Sequence, residues 1–436
     1  MRVAIFCVGT RGDVQPFLAL GAGLRARGHE VVICTATNFA AMIRDAGLDH
    51  APLTADYDRL MRRAPEMIEN GMNVVRGGRI MARYLAEMAA HWPAEGRAAA
   101  LGADLLIGQG PATVLAGSLS QALGIPVVQA QLQPMTPCRD IPPMVLPPLP
   151  VRLPGAVNRG LYHALRWFMW SLVRGPVNRH LRAPLGLADY AWQGPQHDAP
   201  RAHRRTLYAY SPAILPRSRD WTDDIAVTGY WFHDRAQAWT PPEPLVRFLE
   251  AGPKPIYIGF GSMFARDAEP LAAAVIASVR QAGQRAVIAR GWGGIAVDEG
   301  RDDPLIHVIG EAPHDWLLPR MAAAVHHGGA GTTAAAIRAG IPSLILPFIT
   351  EQAFWSVQLE RAGVAVPRIA RKAVTPDRLA QGYRHLLAPA IAARARALGE
   401  RIAAEDGVGT AIAQLEAWGL LRAPVRQPVS AAMIAD

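Results

Sequence analysis

The segment from Ala323 to Thr333 (AAVHHGGAGTT) constrains the fold of this chain more than any other part of its sequence. An apolar strand runs into three glycines within four residues, and these lead directly into a helix with the sequence AAAIRAG. Such a junction directs unpaired backbone N–H groups and the positive end of a helix dipole at one point. We therefore expect a diphosphate to bind here, with glycine present because a side chain would keep the phosphate oxygens from the backbone.

Polar side chains beside this loop extend the same hypothesis. Thr332 and Thr333 offer hydroxyl groups, and His326 offers a ring N–H to the same anion. The alternative is a glycine turn next to a buried pair of histidines. We favour the anion site because glycine turns alone do not usually combine His, Gly and Thr at one junction of strand and helix.

Strands and helices alternate in both halves of the sequence, which predicts an α/β fold with parallel sheets covered on both faces. In the first half a helix over 14–27 lies between strands, and a second helix ends before Gly124. A helix is also expected over 161–173. The expected strands are 3–8, 31–35, 104–109 and 125–131 in the first half, and 255–260, 285–289, 305–309, 323–327 and 343–347 in the second.

The length of 436 residues is too great for one ordinary hydrophobic core, so we expect two domains. The proline-dense stretch 134–154 cannot be a regular helix or a central strand, and we expect an irregular excursion there. The predicted organisation is an N-terminal domain over 1–215, a linker over 216–243, a C-terminal domain over 244–423 and a tail over 424–436.

The composition excludes several classes of function. The formal charge is +9, but the basic residues form no long run, so we expect attraction for small anions and no nucleic-acid partner. Cys7, Cys34 and Cys138 lack metal-ligand spacing and are expected to be reduced core residues. The first apolar run is too short for a signal sequence and no run is long enough to span a membrane, so a cytoplasmic location is expected.

Two further glycine loops follow predicted strands. Gly259 to Ser262 (GFGS) follows the first strand of the second half, and Gly9 to Pro16 (GTRGDVQP) follows the first strand of the chain. Both would open at the carboxyl edge of a sheet, where open α/β folds bind ligands. Asp13 lies at the start of a helix, and position alone leaves it either a first-turn carboxylate or a functional group.

Together these loops, Arg290-Gly291-Trp292 and the HHGGAGTT segment resemble the family-one glycosyltransferases of the GT-B fold. The nearest groups are the bacterial antibiotic glycosyltransferases and the sterol 3-β-glucosyltransferases. The resemblance covers both halves except the region from about 55 to 235. It implies two doubly wound, Rossmann-like domains that face each other across a cleft.

The resemblance also implies roles for individual residues. Asp13 corresponds to the general base that deprotonates the acceptor hydroxyl. The residues expected to bind the donor are Gly12, Ser262, Arg290, Trp292, Ala312, His314, His326, Gly328, Ala330, Gly331, Thr332, Glu351 and Gln352. For the acceptor we expect an apolar cleft, formed by Gln15, Trp92, Met135, Met144 and Trp170. The tryptophans and methionines are equally suited to a hydrophobic core.

The expected reaction is metal-independent, inverting transfer of a hexose from a nucleotide diphosphate sugar, UDP or dTDP, to a hydroxyl of a lipophilic small molecule. The donor is a co-substrate and no cofactor is expected. Asp56-Tyr57-Asp58 formally matches the Asp-x-Asp metal signature but lies away from any strand end. A GT-B epimerase or hydrolase and a non-catalytic nucleotide-sugar-binding protein are the alternatives. The segment 161–173 could be a buried helix, a cleft wall or a membrane-touching surface, and the protein a monomer or homodimer.

Overall fold

A computed structural model describes residues 1–55, 73–149, 151–195, 205–261, 268–290 and 303–422. The two GT-B-type domains expected from the sequence are present, each built on a parallel sheet. Ser262, Trp292, Asp56, Asp58 and the tail 424–436 lie outside the described residues.

The N-terminal domain contains a seven-stranded parallel sheet in the order β3-β2-β1-β4-β5-β6-β7. Most residues of its inner strands are apolar and buried, because helices cover both sides of the sheet. The strands are β1 (Arg2–Phe6), β2 (Glu30–Thr35), β3 (Asp49–Pro52), β4 (Leu105–Gly108), β5 (Val127–Gln131), β6 (Thr206–Tyr208) and β7 (Ile225–Val227).

The helices of this domain connect and cover the strands. The helix before Gly124 ends where predicted, because that glycine takes a left-handed conformation (φ +69°) after the last turn. The helices are α1 (Arg11–Ala26), α2 (Ala40–Asp45), α3 (Val74–Ala89), α4 (Trp92–Ala100), α5 (Ala112–Leu123) and α6 (Gly155–Pro176), which continues as a π-helical turn, Val177–Arg182.

The C-terminal domain contains a five-stranded parallel sheet in the order β10-β9-β8-β11-β12. Its strands are β8 (Ile256–Gly259), β9 (Ala286–Ala289), β10 (Ile306–Ile309), β11 (Ala323–His326) and β12 (Ser343–Ile345). Its helices are α7 (Glu243–Glu250), α8 (Ala268–Gln281), α9 (His314–Leu317), α10 (Ala330–Arg338), α11 (Thr350–Arg361), α12 (Pro376–Leu386), α13 (Pro389–Ala403) and α14 (Gly407–Ala417).

Most sequence-based predictions of secondary structure are confirmed. All nine expected strands are present within a few residues of the predicted bounds, and the helix expected over 161–173 is the central part of α6. The described residues of the proline-dense stretch 134–154 contain neither helix nor strand. Cys7, Cys34 and Cys138 are free and buried.

Two of the predicted domain boundaries need correction. Strand β7 pairs in parallel with β6, so the N-terminal sheet extends through Val227 and the domain does not end at 215. Helix α14, placed by the sequence in the C-terminal domain, packs against α1, and its Ala411, Ile412 and Leu415 join the N-terminal core. The chain therefore crosses between the domains twice.

A separate hydrophobic cluster joins the two domains. Tyr208, Tyr210 and Trp221 from the N-terminal domain share it with Trp355 and Leu398 from the C-terminal domain. The rings of Tyr210 and Trp355 lie 5.7 Å apart, nearly edge to face. This packing fixes the two sheet edges on either side of a common cavity.

Candidate active site

A cavity of about 860 Å³ lies between the carboxyl edges of the two sheets. The loops after β1, β4 and β5 form one side, and the loops after β10 and β11 form the other. The first turns of α1 and α10 nearly touch there, because a Cβ on Gly331 would lie 3.7 Å from the Cα of Gly12. The two glycine-bearing loops predicted for separate domains thus meet at one site.

Asp13 lies on the N-terminal side of this site, in the first turn of α1. Its Oδ2 accepts hydrogen bonds from the backbone N–H and the hydroxyl of Thr10, at 2.8 and 3.0 Å. Glycine is needed at position 9, because the Cβ of any other residue there would collide with the same oxygen. Burial raises the pKa of Asp13, and the Thr10 hydrogen bonds only partly offset that effect. The carboxylate is held in place and its basicity is increased.

Glu351 approaches Asp13 from the opposite domain, in the first turn of α11. Its Oε1 accepts a hydrogen bond from Nε2 of Gln133 at 2.8 Å, which links the two domains inside the cavity. Burial, and then the charge of Asp13, raises the pKa of Glu351 to about 7. Two carboxyl groups with raised pKa values therefore face one cavity, as is common where proton transfer occurs.

The two histidines at the end of β11 lie in different environments, one in the core and one at the cavity wall. His326 is fully buried, its Nδ1 accepts from the N–H of Gly328 at 3.1 Å, and its Nε2 pairs with the Ser343 hydroxyl at 3.1 Å. Burial lowers its pKa to about 3. Gly328 has φ +90°, and a Cβ there would lie 2.8 Å from Ile345. His326 and Gly328 thus fix the conformation of the loop, and neither of them lines the cavity.

His327 points the other way and lines the cavity beside Gly329. His314, at the start of α9, also lines it, and its Nε2 lies 3.4 Å from the hydroxyl of Tyr257. Burial lowers the pKa of both histidines to about 4, so both imidazoles are neutral near pH 7. Neutral rings can donate a hydrogen bond to an anion without placing a full positive charge in the site.

The N-terminal side of the cavity mixes apolar and amide side chains. Met135 and Met144 lie there with Tyr208, whose hydroxyl accepts from the backbone N–H groups of Met135 and Thr136 at 2.9 and 2.8 Å. Arg166 of α6 also reaches the wall and donates to the carbonyl oxygen of Met135 at 2.9 Å. A set of glutamines completes this side: Gln109, Gln121, Gln129, Gln131 and Gln133.

Polar contacts between the domains border the cavity. Arg11 and Glu311 form an ion pair of 2.6 Å, with side chains 37% and 61% exposed. Exposed pairs of this kind contribute little stability, at most about 1 kcal/mol. Gln15 lies in the wall, with Nε2 3.4 Å from the carbonyl oxygen of His233 in the connecting segment. These contacts position the two loops relative to each other more than they stabilise the fold.

The structure brings most of the predicted site residues to this one cavity. The cavity-lining members are Asp13, Gly12, Gln15, Met135, Met144, Ala312, His314, Ala330, Gly331, Thr332, Glu351 and Gln352. Gln352 also has a structural task, because its Oε1 accepts from the N–H groups of Phe348 and Ile349. Ser262 and Trp292 lie outside the described residues.

Five predicted residues do not line the cavity. Trp92 and Trp170 are core residues, because their indole N–H groups donate to the carbonyl oxygens of Thr54 and Ala191 and their rings are buried. Those two acceptor assignments are therefore corrected. The structure also does not bring Arg290, at the end of β9, to the cavity wall, and His326 and Gly328 face away from it as described above.

Sequence reasoning missed several cavity residues. His327 was passed over for its neighbour, although consecutive residues at a strand end point to opposite sides. Gln129, Gln131 and Gln133 recur at every second position along and after β5, which is the pattern of one face of a strand. That alternation was a usable signal. Arg166 lies in the segment 161–173, for which a cleft wall was one of the predicted roles. Tyr208 carries no comparable signal, because pairing of its short strand brings it in.

Two absences concern only the part of the chain that the structure describes. It contains no group of three or more His, Cys, Asp or Glu side chains placed to hold a metal ion. Its helices include none with the length and apolar character needed to cross a bilayer.

Family models match both ends of the chain. Residues 3–101 match the glycosyltransferase family 28 N-terminal domain. Residues 303–416 match the erythromycin biosynthesis protein CIII-like C-terminal domain.

Relatives of similar sequence match nearly all of the chain. The sterol 3-beta-glucosyltransferase of Neosartorya fischeri is 36% identical over 422 residues, covering 94% of this chain. The chain spans only 29% of that relative's length. A sterol 3-beta-glucosyltransferase of Arabidopsis thaliana is 32% identical over 419 residues, with 94% of this chain and 67% of the relative covered.

Solved structures with the same fold are glycosyltransferases of low sequence identity. The glycotransferase of kitacinnamycin superimposes with a TM-score of 0.70 at 19% identity, covering 97% of this chain and 99% of that one. The glycosyltransferase VinC in complex with dTDP gives a TM-score of 0.63 at 20% identity, covering 96% and 100%. These similarities establish the GT-B fold.

Proposed function

This chain belongs to the glycosyltransferase family that includes the sterol 3-beta-glucosyltransferases, and from that premise we propose that it glycosylates a lipophilic alcohol. The donor is a nucleotide diphosphate hexose, a UDP-sugar in the first place and a dTDP-sugar in the second. The acceptor is a hydroxyl of a sterol, terpenoid, polyketide or similar natural product. Transfer proceeds with inversion and without a metal ion.

One observation carries the proposal. Asp13, the first turn of α10 and Glu351 all line a single cavity, with Asp13 on the N-terminal domain and the other two on the C-terminal domain. A poor nucleophile such as an alcohol needs a base within hydrogen-bond reach, and a leaving diphosphate needs donors for its growing charge. This cavity has both on facing walls.

The roles of the residues follow from the balance of charge and protons. Asp13 takes the proton of the acceptor hydroxyl as the acceptor oxygen forms its bond to the anomeric carbon. The bond between that carbon and the donor diphosphate breaks, and the electron pair leaves with the diphosphate. The backbone N–H groups of Ala330 and Gly331, with the neutral rings of His327 and His314, donate to the leaving group. Attack opposite the leaving group inverts the anomeric centre.

The recognition of the sugar falls to the first turn of α11. Glu351 accepts from Gln133 through Oε1, and its carboxylate lines the cavity, where it can also accept from a sugar hydroxyl. Because this hydrogen bond crosses between domains, we expect it to adjust when the donor binds. The apolar wall near Met135 and Met144 suits a lipophilic acceptor.

The decisive variant is Asp13→Asn. Asparagine retains the shape and still accepts from the N–H of Thr10, so α1 keeps its cap, but it cannot take a proton. Turnover should fall by about 100-fold to 10,000-fold, as expected for the loss of a general base. The measurements are steady-state rates, donor affinity by calorimetry and melting temperature on the same preparations. A folded variant that binds donor and keeps more than about a tenth of turnover would contradict the role of Asp13.

Product analysis separates the proposal from its alternatives. UDP- and dTDP-sugars should be incubated with sterol, polyketide and phenolic acceptors, and products detected by mass spectrometry. An acceptor heavier by one hexose supports transfer, whereas free sugar or an epimerised donor alone supports a hydrolase or epimerase. Reactions in excess EDTA should run at full rate. Activity lost in EDTA and restored by manganese would point to a metal site at Asp56 and Asp58.

A further inference from the structure

We propose that Arg166 makes this glycosyltransferase selective for an acceptor that carries a carboxylate at a distance from the hydroxyl that receives the sugar. The acceptor is then an amphiphilic hydroxy acid, with its hydroxyl at Asp13, an apolar body along the cavity wall and its carboxylate at Arg166. This inference rests on the proposed function and narrows the acceptor to one chemical class.

Arg166 lines the cavity from the N-terminal domain, on a side that is otherwise rich in apolar side chains. It is a half-buried residue of α6, and its Nη2 donates to the carbonyl oxygen of Met135 at 2.9 Å. The same side of the cavity includes Met81, Met144 and Tyr208. A guanidinium group has five N–H donors, so one hydrogen bond to a carbonyl leaves most of them for a ligand.

No carboxylate in the described part of the chain neutralises Arg166. It forms no salt bridge there, and the stretch 141–188, which contains α6, has six arginines but neither aspartate nor glutamate. Burial lowers the pKa of Arg166, and the groups that oppose this effect are the phenols of Tyr208 and Tyr162. Because arginine stays protonated in proteins, a positive charge without a counter-ion lines the cavity.

The carboxyl groups that line the cavity all bind other partners. These partners are Thr10 for Asp13, Gln133 for Glu351, Arg11 for Glu311, Arg338 for Asp234, and the backbone N–H groups of Arg235 and Ala236 for Asp315. Two of the other arginines at the cavity are therefore ion-paired, and the third, Arg235, lies beside Asp315 of the C-terminal domain. Arg166 remains as the cation for an acceptor on the N-terminal side.

Arg166 and Asp13 lie at different strands of the N-terminal sheet. Asp13 follows β1, whereas Met135, which Arg166 contacts, follows β5, and β4 lies between these two strands. Neighbouring strands are about 4.8 Å apart, so β1 and β5 are separated by about 10 Å. A ligand that reaches both residues must be extended, with its two oxygen functions at opposite ends. A steroid acid or a long-chain hydroxy acid has this form, whereas an unmodified sterol presents only hydrocarbon to Arg166.

The chemistry of the guanidinium group favours a carboxylate over a neutral oxygen. Its planar fork can donate to both oxygens of a carboxylate at once, and the two charges cancel. A carbonyl or hydroxyl oxygen would leave the positive charge unbalanced beside an apolar wall, where charge is poorly solvated. A hydrogen bond to a charged group of this kind contributes roughly 10-fold to 100-fold in affinity.

A matched pair of ligands tests the proposal. Lithocholic acid carries a hydroxyl at one end of a steroid and a carboxylate at the other, and its methyl ester lacks the charge. Calorimetry on the full chain in the presence of UDP gives the affinity for each ligand. We expect the wild type to bind the acid about 10-fold to 100-fold more tightly than the ester.

Variants of one side chain assign this preference to Arg166. Arg166→Met keeps an apolar stem but removes the charge, and should bind acid and ester equally. Arg166→Lys retains the charge without the planar fork, and should recover part of the preference. The matched control is Arg159→Met, at an exposed arginine two turns earlier in α6, which should retain the full preference. If Arg166 served only to hold Met135, its loss would weaken both ligands alike and leave their ratio unchanged.

Equal affinity of the wild type for acid and ester, or no binding of the acid, would overturn the proposal even if Arg166→Met failed to fold. So would a preference for the acid that persists in a folded Arg166→Met variant. Product analysis with cholesterol, which has no carboxylate, separates this inference from the proposed function. Hexose transfer to cholesterol without any preference for the acid would leave the function standing and reject the role of Arg166. Binding of the acid that depends on Arg166, with no transfer to any alcohol, would do the reverse.

Discussion

The two adjacent histidines at the end of β11 differ in what they contact, and this difference predicts opposite phenotypes. His326→Ala removes the acceptor for the Gly328 N–H and the partner of Ser343 inside the core. We expect a loss of about 2 to 4 kcal/mol of unfolding free energy. His327→Ala removes a group that lines the cavity, and should weaken UDP or dTDP binding by about tenfold, roughly 1.4 kcal/mol, with little change in stability.

Calorimetry and denaturant unfolding of both variants check this pair. Ser343→Ala serves as the control, because it removes only the Nε2 partner of His326 and should destabilise without affecting nucleotide binding. A His326 variant that folds normally and loses nucleotide affinity would restore the original sequence-based assignment.

A second consequence at the level of single residues concerns Glu351 and pH. Below pH 4.5, the ordinary pKa of a glutamate, the carboxyl is protonated in both the folded and the unfolded chain. Its burial then does not lower the free energy of unfolding. As pH rises toward 7 the unfolded chain loses this proton first, and the folded state becomes relatively less stable. Glu351→Gln should therefore raise the unfolding free energy by about 1 to 3 kcal/mol at pH 8 and change it little at pH 4.

Urea unfolding at both pH values provides the measurement. Asp13 faces Glu351 and its raised pKa acts in the same direction, so the double variant with Asp13→Asn should show an additional gain at pH 8. Equal stability of the wild type and Glu351→Gln at pH 8 would show that Glu351 ionises without a penalty. Both carboxyl groups thus lower stability where they are expected to serve function.

Which residues reach the cavity was only partly predictable. Asp13 was predicted from its place at the start of a helix beside a sheet edge together with the family resemblance, and Glu351 from the resemblance alone. The choice between His326 and His327 depends on which face of β11 points toward the cavity, and a strand whose four residues are all buried does not reveal that. Trp92 and Trp170 show the same limit, since an aromatic side chain suits core and cleft equally until tertiary contacts are known.

The loop between β11 and α10 shows how one element can be tested with a matched pair of glycines. Gly328→Ala places a methyl group 2.8 Å from Ile345 in a left-handed conformation, and should cost about 1 to 3 kcal/mol of stability. Gly331→Ala meets only Gly12 at 3.7 Å and lies in the first turn of α10, where alanine suits the helix. Its fold should be intact, but its methyl group would project where the diphosphate is expected.

Thermal unfolding and nucleotide titration distinguish these two variants. If Gly331→Ala binds nucleotide as tightly as the wild type, the diphosphate does not approach the start of α10. If Gly328→Ala is as stable as the wild type, the loop can relax around the added methyl group.

Elements were predictable where the pattern was long or buried on both faces. The strands that flank the glycine loops are continuous apolar runs, which is typical of parallel strands between two layers of helix. Strands β6 and β7 have only three residues each, and they form by pairing with β5 and with each other. The local sequence therefore did not predict them. The linker boundary was misplaced for that reason.

At the scale of the whole molecule, the stability of the N-terminal domain depends on α14. Ile412 and Leu415 are almost fully buried, in a core formed mainly by the sheet and helices of the N-terminal domain. Ile412→Ala should cost about 2 to 5 kcal/mol, as for other large-to-small core changes. The loss should appear in the unfolding of the N-terminal domain, although the substitution lies in the last helix of the described residues.

Hydrogen exchange resolved along the chain is the measurement. Protection should fall in β1, β2 and α1 of the Ile412→Ala variant and remain in β8 to β12. As a control, Ile402→Ala in α13 removes a similar side chain from the cluster shared between the domains, and should affect both sheets. Loss of protection confined to the C-terminal sheet in Ile412→Ala would contradict this account.

The return of α14 to the N-terminal domain bears on how such chains can be recombined. The N-terminal and C-terminal halves look like interchangeable modules in the linear sequence, with one junction near the connecting segment. In a chimera made at that junction alone, the helix packed against α1 would come from the other parent. Its side chains would then not match the surface of α1. Grafting in three pieces, so that residues 407–422 are transferred with the N-terminal half, keeps the native partners together. The N-terminal domain is therefore discontinuous in the sequence, since its core includes a helix that follows the whole C-terminal sheet.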